Sequence, residues 1–222
     1  MYFCSSKWIC PMRYNLILDM GGVLMQHNMQ GCIAAFERLI GRKPMQTLLG
    51  LNNNGEGSAA SLMEQYECGG ISEEDFILAI RDLCQPGTTN EQIVDAWMMM
   101  HGGIPQERLE QVREWHNEGH HILLLSNSNT IHKRDIENKY DMSMFDCCIY
   151  SHEVGASKPN TAIYDVVMQT LHEKGWDKEP IIFVDDIAAN REVGEQYGWK
   201  TFESLEELIK WKMENGELKM EN

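Results

Sequence analysis

Two short apolar runs end on aspartates. Leu16, Ile17 and Leu18 lead into Asp19, and Ile181, Ile182, Phe183 and Val184 lead into Asp185 and Asp186. Continuous apolar runs of this length fit strands buried on both faces, as in a parallel sheet covered by helices. Ligands of such sheets bind just beyond the carboxyl ends of the strands. Three carboxylates would converge there and repel one another unless a cation lies between them. A donor set made of oxygens suits Mg²⁺, which takes one or two carboxylates together with water and phosphate oxygens. The chemistry implied is metal-assisted transfer of a phosphoryl group.

The elements that must position these acids fall into two rhythms. Between the two runs the pattern is helical. Ile33, Phe36 and Ile40 recur at helix spacing. Ser72 precedes Glu73, Glu74 and Asp75, an N-cap with acid in the first turn, and Phe76, Ile77 and Ile80 supply an apolar face. Thr89 caps a helix through Ile93, Val94 and Trp97, and Pro105 opens another with Leu109, Val112 and Trp115 that Gly119 stops. Residues 51–58, rich in Asn and Gly, read as a loop. After residue 119 the rhythm becomes strand, loop, helix. Strands are expected at 121–125, 147–151, 181–184 and 200–202, with helices at 160–174, after Asp186 towards Tyr197, and after Ser204. Such alternation implies right-handed crossovers and a parallel sheet, but not the order of its strands.

Composition bounds the reading. A chain of 222 residues holds one large domain or a core with a smaller insert, and 43% hydrophobic content is enough to bury a sizeable core. A formal charge of −15 argues against a nucleic-acid or anionic membrane surface. Seven cysteines, an odd number without zinc-like spacing, read as reduced thiols and point to a cytoplasmic protein. No apolar stretch approaches the ~20 residues that a membrane helix requires. Residues 1–11 lack the apolar core and cleavage site of a signal peptide and read as a frayed extension ahead of Met12.

Four features now coincide: Asp19 after one apolar strand, Ser126 after the next, Lys158 in a Ser-Lys-Pro loop, and Asp185-Asp186 with Asn190 following. In this order, with a helical insert after the first, they resemble the haloacid dehalogenase superfamily, in its phosphatase-like branch with a helical cap. The resemblance covers the chain from Arg13 onward. It implies a Rossmann-like α/β core at residues 12–27 and 119–222, with strand order 5-4-1-2-3 and helices on both faces. An all-helical cap at residues 28–118 would close over the site. It further implies that Asp19 attacks phosphorus to form an aspartyl-phosphate. Mg²⁺ would be held by Asp19, the Gly21 carbonyl and Asp186, with Asp185 assisting through water. Ser126 and the Asn127 N–H would grip phosphate oxygens, and Lys158 would bridge Asp19 and the phosphate. The implied substrate is a small phosphorylated metabolite such as a sugar phosphate.

The departure from the pattern is Gly21. Most phosphatases of this branch carry a second aspartate there, which protonates the leaving group and later activates water. Loss of such general acid–base help slows a reaction by ~10²–10⁴-fold without forbidding it. His27, a few residues on, is a candidate substitute, against the plainer reading of an exposed polar side chain. Gly21 also argues against a phosphomutase, and the paired acids argue against metal-free dehalogenation.

Each motif alone has an ordinary explanation. A lone aspartate after a strand is commonly a turn former, and paired acids before a helix complement its dipole. A binding or regulatory protein that keeps the fold without turnover is the rival from another class, although such a protein has little use for three mutually repelling acids. His120-His121 read as structural rather than metal-binding. Met98-Met99-Met100-His101 line a substrate slot or fill a core. The loop around Gly55, Glu56 and Gly57 is a lid or a connector, and Cys147-Cys148 read as buried thiols.

Overall fold

A computed structural model describes residues 12–40 and 61–215. The expected extension at residues 1–11 and the loop at 51–58 lie outside them. Five parallel strands form one sheet: β1 (Asn15–Leu18), β2 (His121–Ser126), β3 (Cys147–Tyr150), β4 (Ile181–Val184) and β5 (Lys200–Phe202), in the spatial order β3-β2-β1-β4-β5. This is the expected order 5-4-1-2-3 read from the other edge. β1 lies between β2 and β4, with Leu18 opposite Leu124 on one side and Val184 on the other. Asp19, Ser126 and Asp185 therefore emerge together at one end of the sheet.

The apolar runs divide between the two faces by strand alternation. Leu16, Leu18, Ile122, Leu124, Ile182 and Val184 enter one core cluster. Ile17, Leu123, Leu125 and Phe183 enter the other. Helix α8 (Thr161–Glu173) covers the second face with Ile163, Tyr164, Val167 and Leu171, whereas α10 (Leu205–Glu214) covers the first with Leu205 and Leu208.

The insert contributes α1 (Met29–Ile40), α2 (Leu62–Glu67), α3 (Glu73–Arg81) and α4 (Asn90–Met98). Ser72 caps α3 by accepting from the Asp75 N–H, and Thr89 and Gln92 form a reciprocal capping box on α4. These helices bury Phe36, Tyr66, Phe76, Ile80, Ile93 and Trp97 in a separate cluster that Ile131, beyond β2, also joins. Met100 joins that cluster and Met99 is exposed, so this part of the methionine run fills a core. Helix α5 (Gln106–Asn117) behaves differently: its Val112 and Trp115 enter the sheet cluster beside Ile122 and Leu124. The last helix of the 28–118 insert thus packs with the core. The chain crosses between the two bodies on paired segments, where the Gln26 N–H donates to Gly103, the Gly102 N–H to Gln26, and the Asn28 N–H to Met100.

Two further helices complete the core, α6 (Thr130–Lys139) and α9 (Ala188–Gln196), with one short turn of helix, α7 (Ser151–Val154), after β3. The strand expected at 147–151 gives way to this turn at Ser151. Cys147 and Cys148 are half-buried rather than buried, and the described cysteines are free. No helix among the described residues is long and apolar enough to cross a membrane.

Two buried histidines give the fold a pH dependence. Burial, then the neighbouring Lys212, holds His120 down to about 4; burial, then His101, holds His132 down to about 3. The Tyr14 N–H and the Lys212 ammonium both face the His120 ring, which disfavours its protonation. The unfolded chain takes up these protons near pH 6.5 and the folded chain does not, so stability falls as pH drops from 6.5 towards 4. Thermal unfolding should show that slope, and His120→Gln should flatten it; an unchanged slope would mean that His120 is not its source.

Candidate active site

The site begins with a tight turn after β1. The Leu24 and Met25 N–H groups donate to the Met20 carbonyl, and the Gly22 N–H donates to Met25. Gly22 has φ +75°, and a Cβ there would overlap the Asp186 carboxylate, so only glycine lets that acid lie against the turn. From α5, Arg108 Nη1 donates to the Val23 carbonyl at 2.6 Å and fixes the turn from below.

Lys158 is the centre of the charge arrangement. Its Nζ lies 2.8 Å from Asp19 Oδ1, 2.6 Å from Asp185 Oδ2 and 2.8 Å from the Leu125 carbonyl, using all three protons. It is buried, and the two carboxylates outweigh the cost of burial and hold it in the charged form. The loop that carries it is clamped to the end of β2 by Asn127, which accepts from the Lys158 N–H at 2.8 Å and donates to its carbonyl at 3.0 Å. Ser126 is buried at the end of β2, next to this clamp.

The three acids differ in their surroundings. Asp19 Oδ1 accepts from the Met20 N–H at 2.8 Å as well as from Lys158, and among the described residues nothing donates to Oδ2. Burial pushes the Asp19 carboxyl up to about 6, Lys158 pulls it down, and Asp185 pushes it up again. Asp185 is fully buried and saturated: the Ile187 N–H, Asn190 Nδ2 and Lys158 all donate to it. Arg191 holds its backbone by donating to the Asp185 carbonyl at 2.7 Å. Asp186 is exposed and sits against Gly22. One oxygen from each acid falls within a cluster 4.8 Å across. One ammonium, paired with two of the three carboxylates, leaves the cluster short of positive charge, and hard oxygen donors with one exposed member fit Mg²⁺. The donors that saturate Asp185 make it an anchor for Lys158 more directly than a ligand.

Every site residue named from the sequence lies at this end of the sheet. Sequence reasoning missed the supporting shell of Arg108 and Arg191 and the two-way Asn127 clamp, which join residues distant in the chain. His27 is exposed and yet belongs to the site. Its ring stands against Gly21, where a Cβ would collide with Nε2 and Cε1, so it fills the space in which a longer side chain at position 21 would begin. His120 and His121 lie away from the acids: His121 stacks on Trp176, with ring centroids 3.7 Å apart. His101 sits at the crossing between the two bodies, with Nδ1 3.3 Å from Asp135.

No protein-family model matches the chain. The D-ribitol-5-phosphate phosphatase of Bacteroides thetaiotaomicron is 25% identical over 207 residues, which span 90% of this chain and 95% of that protein. A crystal structure of a HAD family enzyme from Bacteroides thetaiotaomicron, an aspartate-to-alanine mutant in complex with magnesium and inorganic phosphate, superposes with a TM-score of 0.73 at 25% identity. The match covers 86% of this chain and 93% of that one. A predicted HAD-like family hydrolase from Porphyromonas gingivalis gives 0.70 at 25% identity, over 86% and 90% of the two chains.

Proposed function

We propose that the chain is a member of the haloacid dehalogenase superfamily and a Mg²⁺-dependent phosphatase acting on a small phosphomonoester, a sugar or polyol phosphate, through an aspartyl-phosphate on Asp19. The observation that carries this reading is the convergence of Asp19, Asp185 and Asp186, the first two of them paired with the buried Lys158. A sugar or polyol phosphate is favoured by the similarity to D-ribitol-5-phosphate phosphatase.

Asp19, Asp186 and the Gly21 carbonyl would hold the ion, with Asp185 acting through water; bound Mg²⁺ would supply charge neutralisation and a template for the phosphate. Lys158 and the Met20 N–H pin Oδ1 of Asp19, so Oδ2 is the oxygen left to attack phosphorus. As the O–P bond forms, the bond from phosphorus to the leaving oxygen breaks and that oxygen takes a proton. Water then attacks phosphorus, the bond to Asp19 breaks, and inorganic phosphate leaves with the carboxylate restored. Ser126 and the Asn127 N–H hold the phosphate oxygens throughout, on a loop that the Asn127 clamp keeps in register with Lys158.

Proton delivery to the leaving oxygen falls to His27, the side chain against Gly21. His27→Ala should slow hydrolysis of alkyl phosphates by roughly a hundredfold relative to p-nitrophenyl phosphate, whose leaving group needs no proton. Equal slowing of both would remove His27 from this role. Gly21→Asp alone should not help, because its Cβ meets the His27 ring; paired with His27→Gly it should recover alkyl phosphate turnover.

The reading is tested by phosphate release from a panel of phosphomonoesters with and without Mg²⁺. Metal-dependent release supports it. No release from any member, under conditions where Mg²⁺ binds, would favour a binding protein.

A further inference from the structure

Helix α2 leaves one of its last carbonyls for the core to satisfy. The carbonyls of Glu64, Gln65 and Tyr66 accept from the Cys68, Gly70 and Gly69 N–H groups, all within the helical insert. The Glu67 carbonyl instead accepts from the Ser151 hydroxyl at 2.5 Å. Ser151 leaves β3 beside the place where Ser126 ends β2, since Ser126 and Tyr150 are register partners. Around this contact the insert rests directly on the core. Cys68 Sγ donates to Ser157 Oγ at 3.2 Å, one residue before Lys158. At Gly69, with φ +67°, a Cβ would overlap the His152 carbonyl, so backbone touches backbone there.

Ser151 is fully buried, and its hydroxyl faces more acceptors than it has protons. It accepts from the Ser128 N–H at 2.9 Å and lies 3.1 Å from the Ser128 carbonyl as well as against Glu67. A hydroxyl has one proton to give, and the shorter contact is with Glu67. The Ser128 carbonyl keeps a donor in His152 Nδ1 at 3.0 Å. The Ser128 N–H shares a peptide unit with the Asn127 carbonyl, which accepts from Ser126 Oγ at 3.4 Å. Ser151 thus fixes the plane of the peptide against which the Ser126 hydroxyl rests.

We propose, resting on the phosphatase reading above, that Ser151 is a positioning residue: it orients the loop that grips the phosphate and makes that orientation depend on the insert being docked as a cap. With the cap in place the hydroxyl donates to Glu67 and accepts from Ser128, a chain in which each bond polarises the next. With the cap withdrawn the proton turns to the Ser128 carbonyl and the chain is broken. Phosphate held by Ser126 and the Asn127 N–H therefore favours the docked cap, and the docked cap favours phosphate by the same factor.

The test uses the full chain with Mg²⁺ and inorganic phosphate, so it needs no turnover. In wild type, phosphate should slow hydrogen exchange of the amides in residues 61–72. Ser151→Ala leaves the Ser128 N–H without its acceptor and should bind phosphate about tenfold more weakly. At saturating phosphate it should also lose the protection at 61–72, whereas a merely structural role would lower stability and leave that protection in place. Ser151→Cys keeps the size of the side chain with a weaker donor and acceptor, shows the same losses in smaller measure, and decides the matter if Ser151→Ala does not fold. Gly69→Ala disturbs docking from the cap side; it should weaken phosphate binding several-fold in wild type and add little in the Ser151 variants. Phosphate affinity unchanged in the Ser151 variants, or protection that persists in them, would overturn the role of Ser151, as would wild-type cap amides that ignore phosphate. The two readings fail separately: phosphate-dependent protection without hydrolysis of any ester removes the phosphatase and leaves Ser151 in its role, and hydrolysis without that protection does the reverse.

Discussion

Lys158→Met should destabilise the protein by about 3–5 kcal/mol, the usual consequence of removing one partner from a buried ion pair, and lower kcat/KM by roughly a thousandfold. The side chain is buried, and its ammonium is the only described cation within hydrogen-bond reach of both Asp19 and Asp185. Methionine matches its length but supplies no charge, so two buried carboxylates would face each other uncompensated. The Leu125 carbonyl would lose its donor as well. Mg²⁺ should restore part of the lost stability, because a divalent ion offsets the same repulsion. Urea unfolding with and without Mg²⁺, alongside steady-state kinetics, measures both effects. Wild-type stability in the metal-free variant would mean that Lys158 does not hold these charges together.

Asp19→Asn is expected to abolish phosphate release, since the amide cannot attack phosphorus, and yet to raise stability in metal-free protein at neutral pH. Burial raises the Asp19 carboxyl from 3.8 to about 6 in spite of Lys158. The folded state therefore binds this proton more tightly than the unfolded chain does. Its stability declines as pH rises from 3.8 through 6, and the whole penalty is present at pH 7. Asparagine removes that penalty. The gain should disappear below pH 4, where the carboxyl is protonated in both states. Addition of Mg²⁺ should stabilise wild type more than the variant. A thermal midpoint that falls in Asp19→Asn at pH 7 without metal would show that the Lys158 pair outweighs burial.

These effects follow from residues that could be read without coordinates, because their signals are local. An apolar run that ends on aspartate marks both a strand and its exit, and register carries three such exits to one end of the sheet. Ser72 and Thr89 likewise announce α3 and α4 by chemistry within four residues. Helix α6 gave no such signal. It buries only Ile131, His132 and Ile136 among charged neighbours, so its apolar period is too sparse to read. Tertiary contacts hold it: Tyr66 packs on its first turn, and Arg134 pairs with Glu73 of the cap. The apolar stripe of α5 was legible, but a stripe does not say which cluster it will join. His27 is similar. Its sequence distance from Gly21 was plain, whereas the overlap of its ring with that position depends on the turn that Gly22 permits.

The claim on which the rest depends is that Asp19 carries the phosphoryl group. Mixing wild-type protein with Mg²⁺ and a hydrolysed phosphomonoester, quenching in acid at successive times and mapping the digest by mass spectrometry tests it directly. Phosphate is expected on the peptide that contains Asp19, dependent on Mg²⁺ and missing in Asp19→Asn. Metal-dependent release of phosphate with Asp19 unmodified at every quench time would contradict it.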